Sequence, residues 1–244
     1  MDLSIERVDL VLLILMIAIF FIFILVRTPS SFQPTKLIST GTVNQIEIPL
    51  PKPALKGSMS LEESLLKRRS IREFSNEPIS LENLSQLLWA AQGMTSGSGG
   101  RTAPSAGGTY PLEIYVFVNR VENLATGIYH YESQKHSLVR LKEGDFKEQI
   151  YSAALSQSWV EDSAVVFVYS AVPKRTTERY GERGMQYIFI EVGHASQNLL
   201  LETVSLGLGA VPIGAFDDKQ LNSLIGIDGE NEKVVYINAV GRID

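Results

Sequence analysis

The order of apolar and polar positions divides the chain into an apolar run, a proline-punctuated stretch and a long patterned body. Leu10 to Val26 carries no charged or polar side chain over 17 residues. As a helix it would be about 26 Å long at 1.5 Å per residue, the short end of a bilayer span. Residues 28–57 read as a linker: Pro29, Pro34, Pro49, Pro51 and Pro53 rule out regular structure, and the last three favour an extended arm. The body opens with Ser60 and Glu63, a capping-box pair for a helix through Lys67. Ser80 caps a second helix from Leu81, with Leu84, Leu87, Leu88 and Ala91 at helical spacing until Gly93 ends it. Thr95–Gly108 is a loop by its glycine and serine content. Ile114–Val118, Ala164–Tyr169 and Val234–Val240 read as strands, Ile128–Tyr131 with Leu138–Leu141 as a hairpin, and Asp145–Leu155 as a helix. Met185–Leu206 is the longest helix. Its first half (Tyr187, Ile188, Phe189, Ile190, Val192) is apolar nearly all round, which marks a central or interface helix. Gly207–Asp218 follows with three glycines and Pro212, a turn where a flat ligand can reach main chain unshielded by Cβ. Helices flanking a small sheet predict an α+β, three-layer domain.

These patterns give three parts: an anchor over 1–27, a linker over 28–57 and one domain over 58–244. A cleaved signal peptide is the rival for the first part. Against it, Asp2–Asp9 is acidic and no small-x-small site follows Val26, so the reading is an uncleaved single-pass membrane anchor through residues 10–26. Arg7 precedes the run while Arg27 and Lys36 follow, which leans towards a cytoplasmic body. Absence of cysteine excludes disulfides, thiolate metal sites and cysteine nucleophiles. His130, His136 and His194 have no metal-ligand spacing, so no metal is expected. The net charge of −5 falls wholly outside the first 55 residues, which hold four acidic and four basic side chains. Such mild acidity argues against a nucleic-acid partner.

Three motifs carry the chemistry. Arg68 and Arg72, four apart with Arg69 and Ser70 between them, can converge on one anion; a solvated helix end is the alternative. Pro104-Ser105-Ala106-Gly107-Gly108 is either a plain loop or a ligand-contact loop. Pro212-Ile213-Gly214-Ala215 lies in the glycine-rich turn. Read with Gln157, with Arg179-Tyr180-Gly181-Glu182-Arg183-Gly184 and with Glu191–Leu199, these motifs resemble the nitroreductase family of FMN enzymes. The likeness is closest to the SagB/ThcOx-type azoline oxidase (dehydrogenase) branch and runs from about Ser60 to the end of the chain.

The resemblance implies a nitroreductase-like α+β fold, with a mostly antiparallel sheet and a long central helix at a homodimer interface. It implies FMN phosphate held by Arg68, Arg69, Ser70 and Arg72. Pro104, Ser105, Ala106 and Gly107 would meet the flavin across the dimer, and Gln157 and the Pro212–Ala215 backbone would face its ring. Arg242, beyond the last strand's core, is the candidate to complete the phosphate site, or else a solvated charge. Where the azoline oxidases place a Lys-Tyr pair, this chain has Arg179-Tyr180. A guanidinium cannot serve as base. Tyr180 therefore stands as the proton-transfer group, a role that would need Arg179 or Arg183 to stabilise its phenolate. His194, Trp89, Trp159 and Tyr187 read as core or interface residues. The implied activity is dehydrogenation of a small or peptide-derived substrate, azoline to azole in type, by hydride transfer to flavin. The alternatives are an NAD(P)H-dependent nitro or quinone-type reductase and a non-catalytic, membrane-tethered flavin-binding subunit. No G-x-G-x-x-G follows a strand, so NAD(P)H would bind only transiently on the flavin.

Overall fold

The computed structural model describes residues 46–97 and 99–244; the apolar run Leu10–Val26 and the linker up to residue 45 lie outside them. The strands are β1 (Glu47–Pro49), β2 (Leu112–Val118), β3 (Gly127–Glu132), β4 (Ser137–Glu143), β5 (Val165–Ala171), β6 (Leu208–Ile213) and β7 (Lys233–Arg242). They form one sheet in the order β1-β4-β3-β2-β5-β7-β6, with every ladder antiparallel. The helices are α1 (Leu61–Lys67), α2 (Leu81–Gln92), α3 (Lys147–Ala153), α4 (Ser158–Glu161), α5 (Lys174–Tyr180), α6 (Arg183–Ser205) and α7 (Asp218–Ile225). Among the described residues no helix is long and apolar enough to cross a membrane.

The period of two along the strands builds two cores on opposite faces of the sheet. Ile114, Val116 and Val118 of β2 and Val165, Phe167 and Tyr169 of β5 pack with Leu84, Leu88 and Ala91 of α2 and Ile188, Ala195 and Leu199 of α6. Phe117, Val166, Val168, Val211 and Ile237 point the other way, onto Ile150, Val160, Leu221 and Ile225 of α3, α4 and α7. This is the expected three-layer α+β arrangement. Ser60 and Ser80 cap α1 and α2 as their sequences predict, each accepting a hydrogen bond from the backbone N–H three residues on.

The linker reading extends too far. Glu47–Pro49 pairs with Ser137–Val139 as the outermost strand, where a proline is tolerated because its missing donor faces no neighbour. The arm that follows is pinned to α2: Ser85 Oγ donates to Pro51 O at 2.6 Å, and Gln86 bonds both the N–H and the C=O of Ala54. His136 joins the same point, its Nε2 3.0 Å from Pro51 O and its Nδ1 2.8 Å from the Tyr131 hydroxyl. Burial holds the His136 pKa below its ordinary value, partly offset by the Pro51 carbonyl.

Gly207–Asp218 also differs from its sequence reading. Leu208–Ile213 is a full strand paired along β7, and the turn is confined to the residues between Ile213 and α7. Gly209 within it is a glycine for another reason. Residues 68–74 leave α1 and cross the edge of β6, with Ile71 N donating to Ala210 O at 2.9 Å and Ser75 N to Arg242 O at 2.9 Å. A Cβ on Gly209 would come within 2.9 Å of Ile71, and one on Gly241 within 2.8 Å of Phe74. Those glycines admit the crossing segment rather than a ligand.

Candidate active site

One group of predicted residues gathers at the β6 edge. Arg72 is exposed, and its guanidinium lies 5.3 Å from the centroid of the Trp159 ring on α4. Trp159 is thus a stacking partner in part, and its indole nitrogen is buried without a hydrogen-bond partner. Gln157, the residue that opens α4, donates from Nε2 to Ala154 O at 2.8 Å and Ala215 O at 2.9 Å. That bond ties Gln157 to the Gly214–Ala215 turn. Gly214 is exposed, its φ is not positive, and a Cβ there would meet Tyr236 at an ordinary 3.6 Å. Neither backbone strain nor internal packing demands a glycine here. What its absent Cβ does is leave the main chain open to an incoming group.

Arg68, Ser70 and Arg242 complete this side. Their side chains have no hydrogen bond or ion pair to the rest of the described protein. Arg242 closes β7, and its carbonyl bond to Ser75 holds it beside the Arg72 segment. Arg69 behaves differently. Its Nη1 donates to Leu66 O at 3.0 Å and Arg68 O at 2.7 Å, so it satisfies carbonyls at the end of α1. The structure thus commits Arg69 to the end of its own helix, while Arg72 lies over Trp159.

The second group is the loop Pro104–Gly107 and the helix α5. Arg175 Nη1 donates to Tyr110 O at 3.2 Å, the Thr109 and Thr176 hydroxyls are 2.8 Å apart, and Arg179 Nη1 donates to Gly107 O at 3.0 Å. Loop and helix are therefore laced together along their length. Gly107 has φ 62°, and a Cβ there would collide with the Tyr180 hydroxyl and the Arg179 guanidinium. The Tyr180 ring packs edge-on to Tyr187 with centroids 5.0 Å apart, and Arg179 lies over Tyr180 at 5.3 Å. Arg183 instead lies over Tyr187, at 5.7 Å, so of the two candidate cations only Arg179 attends Tyr180. Both catalytic candidates also end a helix instead of opening one: Gly181, at φ 56°, breaks α5 from α6.

The base of α5 is braced from the sheet. Glu113 on β2 accepts from Arg175 and from His130 Nε2, the latter at 2.9 Å. Burial opposes its ionisation, but the bonds from His130 and Arg175 win and hold the carboxyl below its ordinary range. For His130 burial likewise opposes the charged form, and the Glu113 bond and charge raise its pKa.

No hydrogen bond, ion pair or ring contact joins the two groups among the described residues. Gln92 and Arg101, beneath the loop, escaped the sequence reading, and Glu191 entered it only as the start of a motif, with no role of its own. The available signal was a carboxylate, Glu191, between Ile188 and Val192 on the helix face that periodicity assigns to the core. His194 is exposed, on the side of α6 that also presents Phe189 and Ile190 at 54% and 48% exposure. That side is an open face, not core.

Residues 65–242 match the Nitroreductase family. A nitroreductase-like protein of Methanocaldococcus jannaschii is 42% identical over 184 residues, which is 75% of this chain and 91% of that protein. The trifolitoxin-processing protein TfxB of Rhizobium leguminosarum bv. trifolii is 26% identical over 147 residues, 58% of this chain and 39% of TfxB. The crystal structure of a nitroreductase-like protein from Ralstonia eutropha gives a TM-score of 0.72 at 31% identity, covering 84% of this chain and 92% of that one.

Proposed function

The chain belongs to the nitroreductase family, and we propose that it is an FMN-dependent oxidoreductase that works as a homodimer. The observation that carries this reading is the set of uncommitted donors at the β6 edge. Arg68, Ser70, Arg72 and Arg242 offer charge-assisted and hydroxyl bonds to a phosphate, beside a turn whose Gly214 backbone is open. The residues fit a flavin mononucleotide: phosphate on the arginines, ring against the Pro212–Ala215 main chain and Gln157. Bound there, FMN would supply a two-electron acceptor for hydride.

Everything else is done by the chain. Among the described residues no hydrogen bond, ion pair or ring contact joins the loop and α5 group to the arginine group within one subunit, which supports assembly of each site from two copies. The apolar side of α6 with Phe189 and Ile190 supplies the surface for that pairing. The Tyr180 phenolate, stabilised by Arg179, would take up the proton the substrate loses and become the hydroxyl, while Arg179 also orients Gly107. The substrate class that suits this chemistry is a small or peptide-derived ring of the azoline type, and the likeness to a toxin-processing protein supports it. The nitroreductase-like relative favours a second reading, reduction of a nitro or quinone acceptor by NAD(P)H through the same flavin. Leu10–Val26 would hold the enzyme to a membrane with its body on the cytoplasmic side.

The test is flavin content and mass of the full chain purified from membranes in detergent. One FMN per subunit in a dimer is expected. A folded protein that takes up no added FMN overturns the reading. Anaerobic NAD(P)H that bleaches the flavin rapidly would select the reductase direction over dehydrogenation.

A further inference from the structure

Glu191 sits where an apolar side chain belongs, 3% exposed on the inner face of α6. One of its carboxylate oxygens has no hydrogen-bond partner, and neither has the side-chain nitrogen of Gln92, 1% exposed at the end of α2. The two groups face each other, and Ser105 of the loop faces the same carboxylate. The other end of the Gln92 amide is taken. Its Oε1 accepts from Arg101 Nη1 at 3.0 Å, which orients the amide nitrogen away from Arg101 and towards Glu191. Arg101 in turn lies 4.6 Å from the centroid of the Tyr110 ring. The Tyr110 N–H donates to Ser105 Oγ at 2.8 Å, which closes a circuit back to Glu191. Tyr110 has φ 44°, a backbone state a bulky residue keeps only when its surroundings over-determine it.

We propose that Glu191 is a proton-linked positioning residue: its ionised carboxylate closes a buried clamp with Gln92, Arg101 and Ser105 that holds the Ala103–Tyr110 loop in its working shape. The role deepens the flavin reading, because this loop is the one offered to the cofactor. The clamp itself needs no cofactor. A buried carboxylate is tolerated only when paired and hydrogen-bonded. Here the pairing cation, Arg101, is reached through the Gln92 amide. Arg101 is the one charged group facing Glu191 among the described residues; beyond it stand Glu113 and Arg175, already paired with each other.

The sign of the pH response follows. Burial pushes the Glu191 carboxyl up, and Ser105, Gln92 and Arg101 pull back only part of that rise. Above its raised pKa Glu191 is ionised and the clamp is closed. As pH falls through that value Glu191 takes a proton, the acceptor for Ser105 and Gln92 weakens, and the attraction to Arg101 is lost. Loop order and FMN affinity should fall together on the acid side.

The test compares the full-length wild type with Glu191→Gln, which keeps the volume and removes the charge. FMN affinity is followed against pH by flavin fluorescence quenching, and amide exchange of residues 103–110 is followed in flavin-free protein. Wild-type affinity should fall below the Glu191 pKa by at most about tenfold per pH unit, the limit for one linked proton, and level off near the E191Q value. E191Q should bind more weakly with no such limb, and its loop should exchange faster at every pH. Gln92→Met, which leaves the carboxyl but cuts its link to Arg101, should move the acid limb to higher pH. An E191Q protein with the wild-type limb, or a Q92M protein whose limb stays in place, overturns the clamp. If neither wild type nor variants take up FMN, yet loop exchange still follows Glu191, the clamp stands and the cofactor reading fails.

Discussion

The two halves of the candidate site are built on opposite plans. On the β6 edge, Arg68, Ser70, Arg72 and Arg242 end in groups with no hydrogen bond or ion pair in the described protein, and Arg72 only stacks on Trp159. On the loop side most polar groups are committed: Arg175, Thr176 and Arg179 to the loop, Arg175 and His130 to Glu113, Gln92 and Arg101 to each other. Open donors confer affinity for an anion they do not yet touch. A laced scaffold confers geometry, because each side chain that could drift is held by another. On the proposed reading, one half binds and the other positions.

That contrast predicts separable defects. Tyr180→Phe, on the positioning half, removes one hydroxyl and keeps the ring stacked on Tyr187. Turnover of a confirmed substrate should fall by about 10²–10⁴ while FMN stays bound. Stopped-flow and flavin titration on one preparation would check both, and unchanged turnover would remove Tyr180 from the mechanism. Arg68→Ala or Arg72→Ala, on the binding half, should weaken FMN about 10- to 100-fold, from 1.5–3 kcal/mol per charge-assisted bond. Its melting temperature without flavin should barely move, since neither guanidinium bonds to the protein; wild-type affinity in both variants would mark the cluster as a solvated helix end. Gly107→Ala strikes the packing of the loop against α5. A methyl group there meets Tyr180 and Arg179 at a positive φ, so roughly 1–3 kcal/mol of stability should be lost. Thermal unfolding of the flavin-free protein measures it, and a variant as stable as wild type would show that the loop is not held against α5.

Much of this was legible along the chain wherever one local rule was decisive. The caps at Ser60 and Ser80, the helix of Leu84, Leu88 and Ala91, and the strands around Val116 and Phe167 follow from spacing alone. The motif residues were legible too, because each motif is contiguous. Their sorting was not. Arg69 and Arg72 are three residues apart in one basic stretch, yet one closes a helix end and the other stacks on Trp159. No spacing rule separates them, since the helix has already ended at Lys67 and neither residue lies in it. The same holds for α5, too short for periodicity to reveal, and for β6, whose Gly209 reads as a turn until Ile71 is seen lying across it.

By itself, then, the sequence determined the layered α+β class, the ends of its first helices and the family to which its motifs belong. Those are properties of short windows, where propensity, capping and period act within a turn or two. Only the tertiary structure decided which arginines stay free, which residues brace Tyr180, and that Glu191, Gln92 and Arg101 meet beneath the loop. Those residues are separated by up to about a hundred positions. Their encounter is set by how two helices and a crossing segment pack on one twisted sheet, and a linear pattern does not carry that information.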